Sequence, residues 1–515
     1  MAIKTAAKTK NEDTNMEQKT LTYNALDSAI TFEIFQAFWH DLEEQGYNDT
    51  YKLTTDIIPP LTFMMHRGIC VNRDALEQAR RDVERKIEEK QQELNEAAGR
   101  YLNPLSSKDC QAYFYIELGI KPFTKTNAKG QQTITCDDKA MQRLAVGTAN
   151  RPPIPAAKLV QELRALHKLK GTYLDIEFDR DGRFRCSVNP RGTVTGRIST
   201  SKTIYGTGMN MQNLPLEFKR FLIADPGFVM IEVDKAGAEW VVVAYLSGDP
   251  NMIRIVEEGL DPHAATANLM FNVPIELIQE ENKLIGHETD PGRIAKLREK
   301  LPGLEVARFL PRNMSLRQAG KKSNHGLNYG EGPRMFALQN EIPEFEAKRL
   351  VDLYHAAYPN IRNVWHRRIQ NEMRSGRVLI NFFGRKRRFL DKLGDQLFKA
   401  AYAHEPQSTV SDNLNVGMVH IYNDRSPEML DLELLAQVHD SLLSQYPLAD
   451  IGRLAACIAK QCKHMNIPIT IRGRTFTIKT DVKVGLNWHD MHELPRTTNV
   501  GELKRALQKL PEIAR

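Results

Sequence analysis

Several features that define other protein classes are missing from this chain of 515 residues. No apolar run approaches the roughly 20 residues that a membrane-spanning helix needs. The basic amino-terminal residues lack the apolar stretch and cleavage pattern of a secretory signal. The chain also has no internal repeat and no low-complexity tract. These absences predict a soluble, cytoplasmic protein that does not associate with a membrane.

Cysteine is scarce, and its spacing does not fit a metal site. The closest two, Cys457 and Cys462, have no matching second pair, as a zinc cluster would require. We therefore expect reduced thiols at all six positions, which are Cys70, Cys110, Cys136, Cys186, Cys457 and Cys462.

The charge that is present leans towards the basic side. Lysine and arginine total 71 against 64 acidic residues, and the net charge of +7 permits nucleic-acid binding without proving it. Basic residues concentrate around positions 362–388, where aromatic side chains interleave with them. Such a mixture suits a surface that contacts phosphates and bases, and a solvated charged face is the alternative.

One helical face carries the most specific chemical pattern. Arg317, Lys321, His325 and Tyr329 recur every fourth residue, and steps of four advance only about 40° around a helix, so the pattern predicts one shared face. Arginine binds phosphate oxygens in pairs, lysine adds a point charge, and rings can stack, so this face suits a nucleoside triphosphate. The alternative is a solvated basic helix.

Two carboxylates stand at predicted strand ends on either side of that helix. Asp234 ends the alternating apolar run that starts at Phe228, and Asp440 lies where two apolar runs meet in a predicted hairpin. Each alone is more often structural. Together they could share two Mg²⁺ ions, which prefer carboxylate and phosphate oxygens, and Mn²⁺ could substitute. Nucleotidyl transfer is the chemistry that these parts predict.

From about residue 50 onward the chain resembles family A DNA polymerases. Residues 234–239 and 244–249 are similar to the family's motif A, residues 317–330 to motif B and residues 438–440 to motif C. Residues 195–199, 210–215 and 261–263 fall in the family's order as well.

The resemblance implies an α+β right-hand fold with a helical thumb, an antiparallel palm sheet and helical fingers. The expected boundaries are a disordered basic tail at 1–16, an exonuclease remnant at 17–48, the thumb at 49–180, the palm at 181–260 and 391–515, and the fingers at 261–390.

The resemblance also implies a role for named residues, with primer–template DNA and dNTPs as partners. Asp234, Asp440 and the Lys235 carbonyl would hold the metals, and Lys321 would act in catalysis. Nucleotide-binding residues would be Arg317, Lys321, His325, Tyr329, Glu239 and His263, with Glu239 closing the 2′ side of the sugar. DNA-binding residues would be Arg197, Gln212, Asn213, Gln407 and His439.

Three positions depart from the family pattern. His325 stands where the family usually has Phe or Tyr, Gly237 replaces a Gln, and Ser441 follows Asp440 where Glu is usual. Because of Ser441, a single-subunit phage-type RNA polymerase is an alternative function, and Glu239 is evidence against it. A catalytically inactive DNA-binding derivative of the fold is a second rival.

The segment from Tyr23 to Asp27 resembles the last motif of a 3′–5′ exonuclease, without the upstream carboxylates that this chemistry needs. We expect that this chain alone does not proofread. The segment would complete or contact a separate exonuclease subunit, or it is a relic that packs on the thumb, and a chance match to so short a motif is the third alternative. Replisome proteins as partners and a phage replicative role in a bacterial cytoplasm complete the expectations.

Overall fold

A computed structural model describes residues 2–127, 130–147, 151–286, 288–340 and 342–513, with the backbone only for residues 2–16 and 146. The fold is mixed α+β, as predicted, and is built around one five-stranded antiparallel sheet. Within these residues no helix is both long and apolar enough to cross a membrane.

The central sheet is the expected palm sheet. From one edge to the other, its strands are Glu433–Val438, Ser441–Pro447, Phe228–Lys235, Thr480–Gly485 and His492–Glu493. Strand Phe228–Lys235 lies in the middle because its Val229, Ile231 and Val233 side chains are buried. Helices Asp395–Asn423 and Ile451–Met465 pack against this sheet and share its core.

The predicted thumb rests on a pair of long helices with their own small core. The helices are Arg73–Ala98 and Pro155–Lys168, which continues into the π-helix Leu169–Leu174. Asn72 caps the first helix, and Gly99 ends it in the left-handed conformation. Shorter elements at its tip are Ser107–Gln111, Ala112–Glu117, Asp138–Val146 and the hairpin of Thr124–Thr126 with Gln132–Ile134.

The fingers are helical and share a large core. Their helices include Ala238–Ser247, Pro250–Glu257, Pro262–Phe271, Ile275–Ile285, Pro291–Arg298, Leu316–Leu327, Pro333–Asn340, Glu344–Ala357 and Arg367–Ser375. Strands Val378–Ile380 and Lys386–Arg388 pair beside them, and the hairpin Pro468–Ile471 with Arg474–Thr477 adds Phe476 to the same core.

The packing differs from the predicted boundaries in three places. Helices Asn48–Asp56 and Ile58–Arg67, predicted in the thumb, pack on the palm, because Ile57, Leu61 and Met64 join its core. The fingers core starts at Ala238 and not at 261, since the apolar helix Ala238–Ser247 is buried in it on nearly every side.

The third difference is at the amino terminus. Residues 2–16, predicted as a disordered tail, are helical and continue into one helix, Ala2–Glu44. The physical reason is composition, because residues 2–16 include three Ala and three Lys, which are strong helix formers, and residues 1–45 contain neither Gly nor Pro. From residue 17 on, the helix is largely exposed, including Leu21, Phe32 and Phe38.

Candidate active site

The two predicted metal ligands meet at one end of the palm sheet. Asp234 is the next-to-last residue of the central strand, and the turn His439–Asp440 joins strand Glu433–Val438 to strand Ser441–Pro447, which pairs with the central strand. In the strand register Ser441 lies opposite Asp234, and the amide of Lys235 donates to the Asp440 carbonyl at 3.1 Å. His439 adopts the left-handed conformation, with φ +53°, which makes so tight a turn possible.

The charges of these two aspartates are poorly compensated. Burial, followed by the negative charges of Glu232, Asp440 and Asp481, raises the pKa of Asp234 to about 7. Burial also raises the pKa of Asp440, although the Arg197 guanidinium opposes the shift. A pair of carboxylates in this state is well suited to bind a cation, which would replace the missing positive charge.

A short chain of polar contacts joins this pair to the fingers. Arg197 Nη2 donates to Glu239 Oε1 at 2.5 Å and to Asp440 Oδ1 at 3.5 Å. The Tyr329 hydroxyl donates to the other Glu239 oxygen. Burial, together with the nearby Glu239 charge, raises the pKa of Tyr329 well above its ordinary value, so the phenol remains a proton donor. Glu239 is therefore fixed between the palm and the fingers.

Arg317 lies in the first turn of the fingers helix Leu316–Leu327, whose cap is Ser315. Its Nε donates to Asp261 Oδ2 at 2.6 Å, while Asp261 Oδ1 caps the helix Pro262–Phe271. Burial acts to raise the pKa of Asp261, but the hydrogen bond and charge of Arg317, together with the amides of His263 and Ala264, outweigh it and lower the pKa. A Cβ added at Gly320 would lie 2.3 Å from the His263 carbonyl, so only glycine allows these two helices to approach so closely.

His263 lies on the neighbouring helix and is neutral. Its Nδ1 is 3.1 Å from Asn324 Nδ2, and burial lowers its pKa to about 4. Its ring centroid is 6.0 Å from that of His325. Lys321 and His325 are exposed and, with Tyr329, line an open cleft beside the helix.

The prediction of one helical face needs a correction at its far end. The helix stops at Leu327, so Tyr329 lies beyond it and reaches Glu239 from the turn that follows. Gly330, with φ +76°, allows this turn, and a Cβ there would press on the Tyr402 ring at 3.3 Å.

The predicted DNA-binding residues fall into two groups. Gln212 is bound to the palm hairpin at both ends of its amide, because Nε2 donates to the Gln437 carbonyl at 2.9 Å and Oε1 accepts from the His439 amide at 3.0 Å. Asn213 shares its short helix Met211–Asn213. Gln407 lies half-buried in the helix Asp395–Asn423, outside these contacts.

Sequence reasoning missed the support beneath Arg197. Arg385, predicted on a basic surface, is instead mostly buried and forms a two-pronged ion pair with the fully buried Asp412. Its guanidinium packs against Gly196, where an added Cβ would be 2.7 Å away. Asn415 donates to the Gly196 carbonyl at 3.2 Å. The run of four basic residues from 385 to 388 does not indicate which of them is buried in the folded chain.

Comparison with known proteins identifies the family. The family model described as DNA polymerase family A matches residues 73–286 and 308–490. Thermostable DNA polymerase I of Thermus filiformis is 26% identical over 485 residues, covering 91% of this chain and 51% of the relative. DNA polymerase I of Chloroflexus aurantiacus is 26% identical over 497 residues, covering 93% and 47%.

The chain thus spans about half the length of these bacterial relatives. Among solved structures, the POL domain of Pol1 from M. smegmatis, in complex with DNA primer-template and dNTP, is similar with a TM-score of 0.67 and 23% identity. The match covers 84% of this chain and 70% of that one. From the family match, which spans most of its length, this chain belongs to DNA polymerase family A.

Proposed function

We propose that the chain is a DNA-directed DNA polymerase that extends a DNA primer on a template with dNTPs. The observation that carries the proposal is the placement of Asp234 and Asp440 side by side, with uncompensated charge, at the end of the sheet that faces the cationic helix Leu316–Leu327. Carboxylates opposite cations are the arrangement that phosphoryl transfer needs.

Two Mg²⁺ ions are the proposed cofactor, and the donor set fits them. Asp234, Asp440 and the Lys235 carbonyl would supply hard oxygen ligands. Among the described residues no three His, Cys, Asp or Glu side chains cluster as a complete metal site, so substrate oxygens would complete the shell. When bound, such ions activate the primer 3′-hydroxyl and stabilise the leaving pyrophosphate. Mn²⁺ would satisfy the same ligands.

The fingers helix would hold the incoming nucleotide. Arg317 and Lys321 would bind the triphosphate, with the neutral His263 beside them as a hydrogen-bonding group. Lys321 would also stabilise charge on the departing phosphates during catalysis. His325 would contact the nucleotide from the exposed side of the same helix.

Glu239 and Tyr329 would shape the sugar and base side of the pocket. Because Arg197 and Tyr329 hold both oxygens of Glu239, its carboxylate cannot easily swing away from a 2′-hydroxyl. This fixed position supports selection of deoxyribonucleotides. Arg197, Gln212, Asn213, Gln407 and His439 would follow the primer and template.

A primer-extension assay tests the activity. We expect template-directed incorporation of dNTPs that depends on Mg²⁺, and a loss of at least about a thousandfold in Asp234→Ala, because removing several kcal/mol of charge stabilisation has that effect on rate. Asp431→Ala, at an exposed aspartate paired with Arg453, is the control. Unchanged incorporation by Asp234→Ala would contradict the assignment of the metal ligands.

The same assay separates the RNA polymerase alternative, which Ser441 favours. Synthesis from NTPs without a primer would support that alternative and contradict our proposal. A preference for dNTPs on a primed template is the expected result.

Two finer proposals concern partners and biological role. We propose that a separate exonuclease subunit provides proofreading, since the helix Ala2–Glu44 exposes Tyr23 and other large apolar side chains that could contact a partner. Removal of a mismatched 3′ end by this chain alone would contradict it. A role in phage replication in a bacterial cytoplasm also remains a proposal, tested by whether phage genes flank the coding sequence.

A further inference from the structure

A cleft beside Asp234 has a second cationic wall that faces the fingers helix. On one side lie Arg317 and His263, and on the other lie Lys479 and Arg496. Gly237 also lines the cleft and, as a glycine, contributes no side chain to it. The cleft is therefore bounded by cations from two separate parts of the chain.

Arg496 belongs to a segment that the family match does not include. That match ends at residue 490. Beyond it, strand His492–Glu493 extends the palm sheet by pairing with Lys483 and Val484. The segment therefore lies outside the residues that the family model matches.

The segment is firmly attached on both sides of Arg496. The Leu494 amide donates to the Val482 carbonyl at 2.9 Å, and the Leu494 side chain is buried in the palm core. Helix Val500–Leu507 follows, with Leu503 and Leu507 fully buried in the same core. The position of the Arg496 backbone is thus set by packing and not by the ion pair that its side chain makes.

The Arg496 guanidinium is held at the cleft by one carboxylate. Its Nη2 donates to Asp481 Oδ2 at 2.9 Å and its Nε donates to the other oxygen. Asp481 lies directly opposite Asp234 in the strand register. An arginine has five N–H donors, so this pairing leaves others for a ligand in the cleft. Arg317 is arranged in the same way on the opposite wall, held by Asp261.

We propose that Arg496 is a phosphate-binding residue of the nucleotide pocket, which contacts the triphosphate, and the pyrophosphate formed from it, from the palm side. This inference rests on the proposed function and adds to it a residue outside the range that the family model matches. The planar guanidinium suits paired phosphate oxygens better than an ammonium does.

The test compares Arg496→Gln with the unchanged chain in two assays. In primer extension, we expect the KM for dNTP to rise about tenfold, the factor that corresponds to 1.4 kcal/mol of lost binding, with kcat and the affinity for primer–template altered less than twofold. In calorimetry, the Kd for inorganic tripolyphosphate should rise by a similar factor. Arg496→Lys should recover part of both losses.

Arg453→Gln is the matched control. Arg453 is an arginine of similar exposure on the palm that also pairs with one aspartate, Asp431, and it does not line the cleft. We expect it to leave both assays unchanged. Thermal unfolding of each variant shows whether a change in KM accompanies a loss of folded protein.

The outcomes distinguish this inference from the proposed function. If the unchanged chain extends primers and Arg496→Gln keeps the same KM and the same Kd for tripolyphosphate, the inference is wrong and the proposed function stands. If the unchanged chain extends no primer, the proposed function fails. The tripolyphosphate measurement then tests phosphate binding by Arg496 on its own. Absence of tripolyphosphate binding by the unchanged chain, or equal binding by Arg496→Gln, would then overturn the inference.

Discussion

At the scale of single residues, the site is dominated by negative charge on the palm side. Asp234 lies near the negative charges of Glu232, Asp440 and Asp481, which Lys483 offsets only in part. Two arginines of the site are already paired with carboxylates, because Arg197 binds Glu239 and Arg317 binds Asp261. The folded protein without ions therefore holds Asp234 in an unfavourable environment whenever that carboxylate is ionised.

This imbalance predicts stabilisation by divalent cations. At pH 8, where Asp234 is largely ionised, addition of Mg²⁺ or Mn²⁺ to metal-free protein should raise Tm by a few degrees, because a ligand that binds only the folded state stabilises it. Asp234→Asn should show a higher Tm without metal and a smaller rise with it. Differential scanning fluorimetry measures both, with Asp431→Asn as control. An equal rise in both aspartate variants would argue against binding at Asp234.

At the scale of elements, the turn at residues 195–197 connects two parts of the fold. Arg197 reaches the active-site carboxylates, while Gly196 packs on Arg385 from the segment that precedes the helix Asp395–Asn423. Asp412, fully buried on that helix, has Arg385 and Asn381 as partners. The turn is thus positioned by a buried ion pair that does not itself touch the reacting groups.

Two glycine substitutions distinguish the stability cost of disturbing the Arg385 contact from the cost of backbone strain. Gly196 has φ +82° and would place a Cβ 2.7 Å from the Arg385 guanidinium, whereas Gly119 has φ +64° and open space around it. We expect Gly119→Ala to cost about 1 kcal/mol from the left-handed conformation alone. Gly196→Ala should cost about 3 kcal/mol, because it also disturbs a buried ion pair.

Urea unfolding measures the two costs, and primer extension gives the second readout. We expect Gly196→Ala to reduce incorporation under conditions where it remains folded, since Arg197 would shift, and Gly119→Ala to leave it unchanged. Equal stability losses in the two variants would show that the contact with Arg385 has no energetic role.

At the scale of the whole molecule, buried neutral histidines make the fold sensitive to acid. Burial lowers the pKa of His355 to about 3, of His366 to about 4 and of His404 to about 3. His404 is fully buried against the Phe389 ring, and neither of its ring nitrogens has a hydrogen-bond partner among the described residues. The groups that face it are the cations Arg387 and Arg385, which oppose its protonation.

The sign of the effect follows from these pKa values. An unfolded histidine takes up a proton below about pH 6.5, whereas folded His404 remains neutral until about pH 3, so its contribution to stability is lost as pH falls through this range. We compare the free energy of unfolding of His404→Phe with that of the unchanged chain. We expect this difference to favour the variant by about 2 kcal/mol more at pH 5 than at pH 7.5. Urea unfolding at the two pH values measures the difference. A pH-independent effect of the substitution would contradict the prediction.

The sequence predicted local elements well where a pattern repeats over several residues. The strand that ends at Asp234, the hairpin at His439–Asp440 and the long helix that stops at Gly99 are all present. The family assignment was confirmed, because its motifs are contiguous and their order can be read directly. The site residues follow from those motifs, and their roles remain predictions.

The family, the α+β composition and the segments that carry the chemistry could thus be predicted before folding was considered, because propensity, periodicity and motif spacing are local properties. Three contacts were found in the folded chain alone: Tyr329 leaves the helix to bind Glu239, Arg385 is buried on Asp412, and Arg496 reaches the cleft beside Asp234. Each of these contacts joins residues distant in sequence. Tertiary packing determines which of the many cations pairs with a buried carboxylate, and a local sequence pattern contains no information about that packing.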